Sequence, residues 1–338
     1  MLSTSRQFLL RSRPKGPLAY DDLELRDAPL GELADGEVRL RSTWMSIDPT
    51  IRIWMSDVPQ YLPPIAIGEV IRSIGTAVVV ASRHPDFAEG DAVFGLLGWQ
   101  THPQGTPEAL SIQKIAPGVD PTAALSIFGM TAGLTAYHGL VDVVDPKPGE
   151  TLVVDAAAGT VGGLVGQIGK ILGCRVIGIA GGPEKCAYVT DELGFDACID
   201  YRNEDVGAAL DRLCPEGIDV CFENVGGPIF DAILLRMKLH GRISLCGMIA
   251  GYDAHEPVPG PYNFGMILMR RLMVKGFIIL DFVDRFPEAI AKLGGWVAEG
   301  RLRNRVHELE GFERLPDALR LLVGGQAPNL GKMVVKIS

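Results

Sequence analysis

The stretch Thr151-Leu152-Val153-Val154-Asp155-Ala156-Ala157-Ala158-Gly159-Thr160-Val161-Gly162-Gly163 decides the fold. Thr151–Asp155 reads as a strand covered on both faces, because a parallel strand between two helical layers shows a nearly unbroken apolar run. The turn after it answers to the pattern G-x-G-x-x-G, with Ala157 at the first position, Gly159 at the second and Gly162 at the third. At the second position a side chain would keep a pyrophosphate off the backbone. At the third, its absence lets helix pack on strand. The helix that opens here presents free N–H groups and a partial positive charge to phosphate. Glycine triplets also mark ordinary tight turns; the strand–turn–helix setting makes this one a dinucleotide cradle.

Downstream the pattern repeats: helix 162–172, strand 175–180, helix 184–193, strand 197–200, helix 205–213, strand 218–223, helix 228–237 and strand 242–247. Such alternation predicts βαβ units and an α/β, doubly wound parallel sheet. Upstream, residues 1–120 read as strands and turns. Gln7–Ser12 is a first strand, and Val38–Ser42 alternates apolar and charged residues. Ile67–Ala81 is rich in β-branched residues, and Phe87–Phe94 is a turn entering a strand. Glycine and proline punctuate this part, which fits a mostly antiparallel, barrel-like domain. Between the two parts, Ala123–Leu140 carries small and apolar residues at helical spacing. The tail offers a strand at 305–309, a helix at 315–323 and a strand at 332–337, and reads as a return of the chain to the first part. A chain of 338 residues suggests two domains. The expected division is a discontinuous catalytic domain, 1–124 and 300–338, around a nucleotide-binding domain at 125–299.

Composition excludes other classes. Apolar residues make up 47% and charged residues 22%, the balance of a soluble globular chain. The net charge of −9 is spread along the chain with no basic block, which argues against a nucleic-acid partner. No apolar run reaches the ~18 residues of a membrane helix. Met1–Lys15 has the arginines of an organelle leader, yet a first strand followed by the Pro14-Lys15-Gly16 turn is the simpler reading. Six cysteines, all beyond residue 173 and none two residues apart, form neither a zinc knot nor a disulfide framework, which points to a reduced, cytoplasmic protein.

The choice of nucleotide falls at the tip of the next strand. NAD enzymes place an acid about 20 residues on, for the ribose 2′-hydroxyl. Here the strand ends in Gly181-Gly182-Pro183-Glu184-Lys185. The glycines leave room, and Lys185 can give a 2′-phosphate a charge-assisted bond worth roughly 1.5–3 kcal/mol. Glu184 suits the first turn of a helix. NADP is therefore expected over NAD, with a solvated surface lysine as the plainer alternative. A catalytic zinc would need Cys, His or acidic ligands. Residues 1–140 hold no cysteine, and His84, His102 and His138 stand at no ligand spacing. No metal site is expected, and the chemistry moves toward an acceptor more activated than a simple alcohol or ketone pair.

An ordered set of further segments is similar to one family. It runs through Met45-Ser46-Ile47-Asp48-Pro49-Thr50-Ile51-Arg52, Gly98-Trp99-Gln100, Gly129–Tyr137, Ala156–Gln167 and Leu193-Gly194-Phe195-Asp196. It continues through Glu223-Asn224-Val225-Gly226-Gly227, Gly241-Arg242-Ile243, Cys246-Gly247 and Asn329-Leu330-Gly331-Lys332. Nearly end to end, the chain resembles the zinc-independent medium-chain dehydrogenases/reductases, in the branch of NADPH-dependent 2-alkenal, curcumin and prostaglandin reductases. The resemblance implies a Rossmann domain beside a GroES-like barrel domain. It implies that Gly159, Thr160, Val161 and Gly162 meet the pyrophosphate, that Lys185 and Tyr201 attend the adenosine phosphate, and that Asn224, Cys246 and Gly247 line the nicotinamide ribose. Phe277, Ile278 and Ile279 would wall the nicotinamide, and Asn329 would bond near it. The implied reaction is hydride transfer to the β-carbon of an α,β-unsaturated ketone or aldehyde, with the enolate met by a donor. Tyr252 stands where similar enzymes carry a tyrosine for that task, and a phenol is protonated at neutral pH. A homodimer is also implied.

One departure stands out. Relatives often carry tyrosine after the Asp-Pro of the first-domain motif, where this chain has Thr50. Tyr61 sits where relatives can place a substrate-facing tyrosine, with a turn residue as the alternative; Trp99, a core or cleft-wall residue, and Met130 are further candidates for the substrate wall, and His138 reads as structural. Two rival readings use the same cofactor positions: a quinone reductase on this scaffold, and an NADPH-binding protein without turnover.

Overall fold

The computed structural model describes residues 4–338; Met1–Ser3, the start of the stretch weighed as a leader, lie outside the described residues. Six parallel strands form one sheet in the order 197–200, 175–180, 151–154, 218–223, 237–245, 273–276. The chain thus winds outward from 151–154 in one direction, then restarts beside it in the other. The register sets Leu152 against Val220 and Val154 against Phe222. Side chains alternate between the faces. Leu152, Val154, Val176, Val220 and Phe222 enter one apolar core. Val153, Ile177, Ile179, Cys221 and Ile243 enter the other. Burial on both faces explains why these strands read as continuous apolar runs.

The other large sheet is mixed. Strand 38–46 pairs antiparallel with 75–82, which pairs with 92–95 and then 113–114. On its other side 38–46 takes strand 332–336 antiparallel, and 306–310 lies parallel to that strand. The C-terminal strands therefore complete the sheet that the N-terminal part begins. A two-stranded pair, 4–10 with 23–29, packs beside it. Its core gathers around Trp99, Leu10, Leu40 and Met45, each fully buried.

Several elements differ from expectation. Ala123–Leu140 is not one helix: Pro121–Leu125 stops, a widened helical turn spans Met130–Leu134, and Thr135–Val141 follows. The chain doubles back on itself there, so that a Cβ on Gly133 would lie 1.7 Å from the Ile127 carbonyl oxygen. Only the second half of the 67–81 stretch is a ladder strand, which runs Gly75–Ser82. Its first part runs as irregular chain bonded to the first strand, through Leu10 N–H to the Glu69 carbonyl and Ile71 N–H to the Phe8 carbonyl. The helix expected to reach Met237 ends at Leu234, and strand 237–245 begins five residues earlier than 242. The outer strand Met273–Gly276 and the helix Phe286–Ala298 had no counterpart in the sequence reading.

Candidate active site

A cleft of about 770 Å³ crosses the carboxyl ends of the central parallel strands, which is where an open α/β sheet places its ligand crevice. Ala156 follows strand 151–154, Asn224 follows 218–223, Cys246 follows 237–245 and Phe277 follows 273–276; all line it. Ile47–Thr50 and Pro59–Tyr61 form the facing wall.

At the phosphate end, Gly159 sits in extended conformation just before helix Thr160–Ile171 and no side chain caps it. The first N–H that bonds back is that of Gly163, to the Gly159 carbonyl at 2.9 Å. That leaves the first-turn donors of Thr160, Val161 and Gly162 without a partner inside the helix, and all three residues line the cleft. Ala156 turns the chain with φ +46°. A Cβ on Gly162 would lie 2.5 Å from the Ala156 carbonyl oxygen, so helix and strand end are held at a distance only glycine permits. Gly331 N–H bonds the Ala158 carbonyl at 2.9 Å, which ties the C-terminal segment to the turn. Asn329 is buried beside it and donates to the Gly331 carbonyl at 2.9 Å.

Lys185 and Tyr201 lie beyond the cleft proper, around the tip of strand 175–180. Lys185 is half-buried and donates to the Ala327 carbonyl at 2.8 Å. Burial, then the charge of Arg202, lower its pKa, while Glu184 acts the other way. A Cβ on Gly181 would come 2.8 Å from the Tyr201 hydroxyl and 2.9 Å from Arg202 Nε. Arg202 is thus a second cation at this corner that the sequence reading missed. Asp200, the acid just before Tyr201, is engaged with the backbone: it accepts from Gly182 N–H at 2.7 Å and Arg202 N–H at 3.1 Å.

At the substrate end, the Tyr252 hydroxyl accepts the Met248 N–H at 3.2 Å, which leaves its own proton to donate. Burial raises its pKa. Opposite, Trp54 Nε1–H donates to the Tyr61 hydroxyl at 3.0 Å, and Tyr61 shares a 2.6 Å hydrogen bond with Thr50. Burial raises the Tyr61 pKa as well. Cys246 is pushed up to about 12, first by burial and then by the negative charge that Asp155 and Glu223 carry between them, so it is a neutral thiol here.

Two of the expected substrate contacts are corrected. Trp99 is fully buried and meets Phe8 edge-on at 6.0 Å, in the core of the mixed sheet rather than in the cleft. Gly98, at φ +69°, turns the chain so that Trp99 faces inward and its carbonyl takes the Phe8 N–H. Met130 packs against Ile74, Leu125 and Val334 and does not reach the cleft. His138 is buried, bonded to Asp142 at 2.5 Å and stacked on Phe282.

Two ion pairs escaped the sequence reading. Lys332 Nζ meets Asp48 at 2.6 Å, both buried, on the cleft floor. Arg52, buried, meets Asp253 at 3.1 Å, and so fixes the residue after Tyr252 to the helix that carries Thr50. The only sequence signal was an acid beside proline and a lysine after glycine, far apart in the chain. Among the described residues, no three His, Cys, Asp or Glu side chains gather as a metal site would require.

Comparison with known proteins places this geometry. A family model described as the N-terminal domain of oxidoreductase matches residues 6–112, and one described as zinc-binding dehydrogenase matches 160–294. The NADPH-dependent curcumin reductase of Escherichia coli is 40% identical over 99% of this chain and 97% of that protein. The NADP(+)-dependent 2-alkenal reductase of Nicotiana tabacum is 36% identical over 99% and 98%. The crystal structure of CurA from Vibrio vulnificus in complex with NADPH superposes with a TM-score of 0.92 at 41% identity, covering 98% and 99% of the two chains. A quinone oxidoreductase of Pseudomonas syringae, at 24% identity and a TM-score of 0.76, shares the fold. The chain belongs to the medium-chain dehydrogenase/reductase superfamily, in the branch that holds the curcumin, 2-alkenal and prostaglandin reductases.

Proposed function

We propose that this protein is an NADPH-dependent reductase of the carbon–carbon double bond of α,β-unsaturated ketones and aldehydes. The observation that carries the proposal is a single cleft with uncapped helix N–H groups at one end and, at the other, a half-buried phenol whose oxygen accepts the Met248 N–H. The residues fit the cofactor. Thr160, Val161 and Gly162 offer N–H donors to the pyrophosphate, and Lys185 with Arg202 supplies positive charge for a 2′-phosphate. Asn224, Cys246 and Gly247 line the ribose side, while Phe277, Ile278 and Ile279 give the nicotinamide a dry wall.

NADPH, when bound, supplies the hydride that goes to the β-carbon. The chain's own part is to orient the substrate and to stabilise the charge that develops on the carbonyl oxygen. Tyr252 O–H is the donor at that oxygen. Its raised pKa keeps it protonated to a higher pH than an ordinary tyrosine, so donation persists on the alkaline side. Solvent delivers the proton to the α-carbon. Thr50 and Tyr61, joined by their hydrogen bond, form the facing wall. The unpaired cysteines fit a cytoplasmic enzyme, and no helix among the described residues is long and apolar enough to cross a membrane. The exposed outer strand 273–276 fits a homodimer.

The test is a panel of alkenals, alkenones and quinones with NADPH, run on the protein and on Tyr252→Phe. Enones should be reduced, and Tyr252→Phe should cost turnover about 10²–10³-fold, the usual loss for one oxyanion donor, with NADPH affinity kept. Faster turnover of quinones than enones would favour the quinone reading. Tight NADPH binding with no consumption would remove the enzyme. Unchanged turnover in Tyr252→Phe would reduce that residue to packing.

A further inference from the structure

Beneath the cleft lie two carboxyl groups that the mechanism above does not use. Asp155 closes strand 151–154 and Glu223 ends the neighbouring strand 218–223. The register, Phe222 against Val154, sets them side by side on adjacent parallel strands and on one face of the sheet. Both are fully buried. They converge on one donor: Val225 N–H lies 3.2 Å from Asp155 Oδ2 and 2.9 Å from Glu223 Oε1. Asp155 Oδ1 also takes the Asn224 N–H at 2.7 Å and the Asn224 side-chain amide at 3.2 Å. Glu223 Oε1 takes the Gly226 N–H at 2.5 Å. The turn 224–226 thus hangs on the two carboxyls. That turn in turn holds the substrate segment, since Ile249 N–H bonds the Asn224 carbonyl at 3.1 Å and Ala250 N–H the Val225 carbonyl at 3.0 Å.

We infer that Asp155 and Glu223 form a carboxylate–carboxylic acid pair that keeps one proton between them and locks the pyrophosphate turn to the segment carrying Tyr252. Two buried carboxylates side by side cannot both ionise without a cation, and among the described residues no lysine, arginine or histidine side chain bonds or pairs with either. Asp155 holds the charge, because three donors point at it. Glu223 holds the proton and donates to Asp155, because the remaining neighbour of its Oε2 is the Cys221 thiol at 4.0 Å. The other titratable groups facing the pair are the Cys221 and Cys246 thiols, both neutral with raised pKa. Burial raises both carboxyls, and Glu223 goes well above the usual range because the Asp155 charge also opposes its ionisation. These are positioning residues: neither lines the cleft.

The sign of the pH dependence follows. Unfolded, both acids titrate near pH 4 (about 3.9 and 4.3). Above that range the folded protein binds one proton more than the unfolded chain. Its stability is therefore greatest on the acid side and falls as pH rises toward the folded titration of the pair. Loss of that proton sets two charges under the turn, and the cofactor side of the cleft loosens.

The measurements are the melting temperature of the cofactor-free protein and its NADPH dissociation constant by fluorescence, each from about pH 5 to about pH 9. The variants are Glu223→Gln and Asp155→Asn. A glutamine keeps a donor toward Asp155 and an acceptor for Val225 and Gly226, yet cannot ionise. Wild type should lose melting temperature as pH rises, and Glu223→Gln should lose less, so the two curves diverge toward alkaline pH. Above the titration of the pair, the wild-type NADPH affinity should fall by up to about tenfold per pH unit more than that of Glu223→Gln, in which the loss from Lys185 alone remains. Asp155→Asn removes the charge that opposes Glu223 ionisation while burial still acts, so its melting temperature should also fall less with pH than the wild type's, which keeps the test open if the glutamine variant folds poorly. Parallel melting curves for wild type and both variants would overturn the pair. The melting arm uses no cofactor, so diverging curves together with no NADPH binding at any pH would overturn the functional reading above and leave the pair standing.

Discussion

Lys185 is half-buried, and its ammonium already donates to the Ala327 carbonyl, so it is held in place before any ligand arrives. Pre-positioning reduces the side-chain entropy lost on binding, which a solvated lysine would lose in full. The charge-assisted bond is worth roughly 1.5–3 kcal/mol, so Lys185→Ala should weaken NADPH binding about ten- to a hundredfold while leaving NADH nearly unchanged. The ratio of the two dissociation constants measures this, and equal losses would refute a 2′-phosphate contact. The lowered pKa adds a direction: the preference for NADPH should fade at a lower alkaline pH than an ordinary lysine would allow. Lys185→Arg, always charged, should keep the preference there. Arg202 is the neighbour that opposes this charge, and a bound phosphate dianion would relieve that repulsion.

The unit that carries the cofactor site is the strand–turn–helix of 151–171. Helix 160–171 is rich in small residues, and Gly162, Gly163, Gly166 and Gly169 are all buried within it. At Gly162 an added Cβ would meet backbone, the Ala156 carbonyl oxygen at 2.5 Å, so nothing flexible can yield. Gly162→Ala should therefore push the helix off the turn, lower stability by about 1–3 kcal/mol and weaken NADPH binding as the donors shift. Melting and titration of the same sample would show both; an unchanged protein would mean that the turn tolerates a wider helix. This unit was legible in the sequence because its signals are local: apolar strand, glycine spacing and helix follow within about two turns of chain. The strands 175–180, 197–200 and 218–223 were read with their observed limits for the same reason. Met-Val-Lys-Gly at 273–276 was not read, because four mostly exposed residues carry neither alternation nor an apolar run. The Asp48–Lys332 pair could not be read at all: its partners stand 284 positions apart, and only the closing of the mixed sheet by its last strand brings them together.

At the scale of the whole molecule, the parallel sheet has an open end. Strand 273–276 pairs with 237–245 on one side only. Its other edge presents unpaired backbone donors and acceptors, which proteins usually cover. The preceding helix 265–269 and its approach add apolar surface: Phe264 is 64% exposed, Leu268 72% and Met269 63%. Surface of this kind, beside an open strand edge, suits a second copy of the same chain, because a two-fold axis at the edge covers both copies with identical contacts. None of Phe264, Leu268 and Met269 lines the cleft, so charges placed on the helix should separate assembly from binding. Leu268→Glu combined with Met269→Glu should move the protein from dimer to monomer in sedimentation velocity. NADPH affinity should persist, because the donors of Thr160–Gly162 and the Lys185 corner belong to one chain. A monomeric wild type would place the cover of this edge elsewhere. A dimer that survives both glutamates would mean that the copies meet on another face.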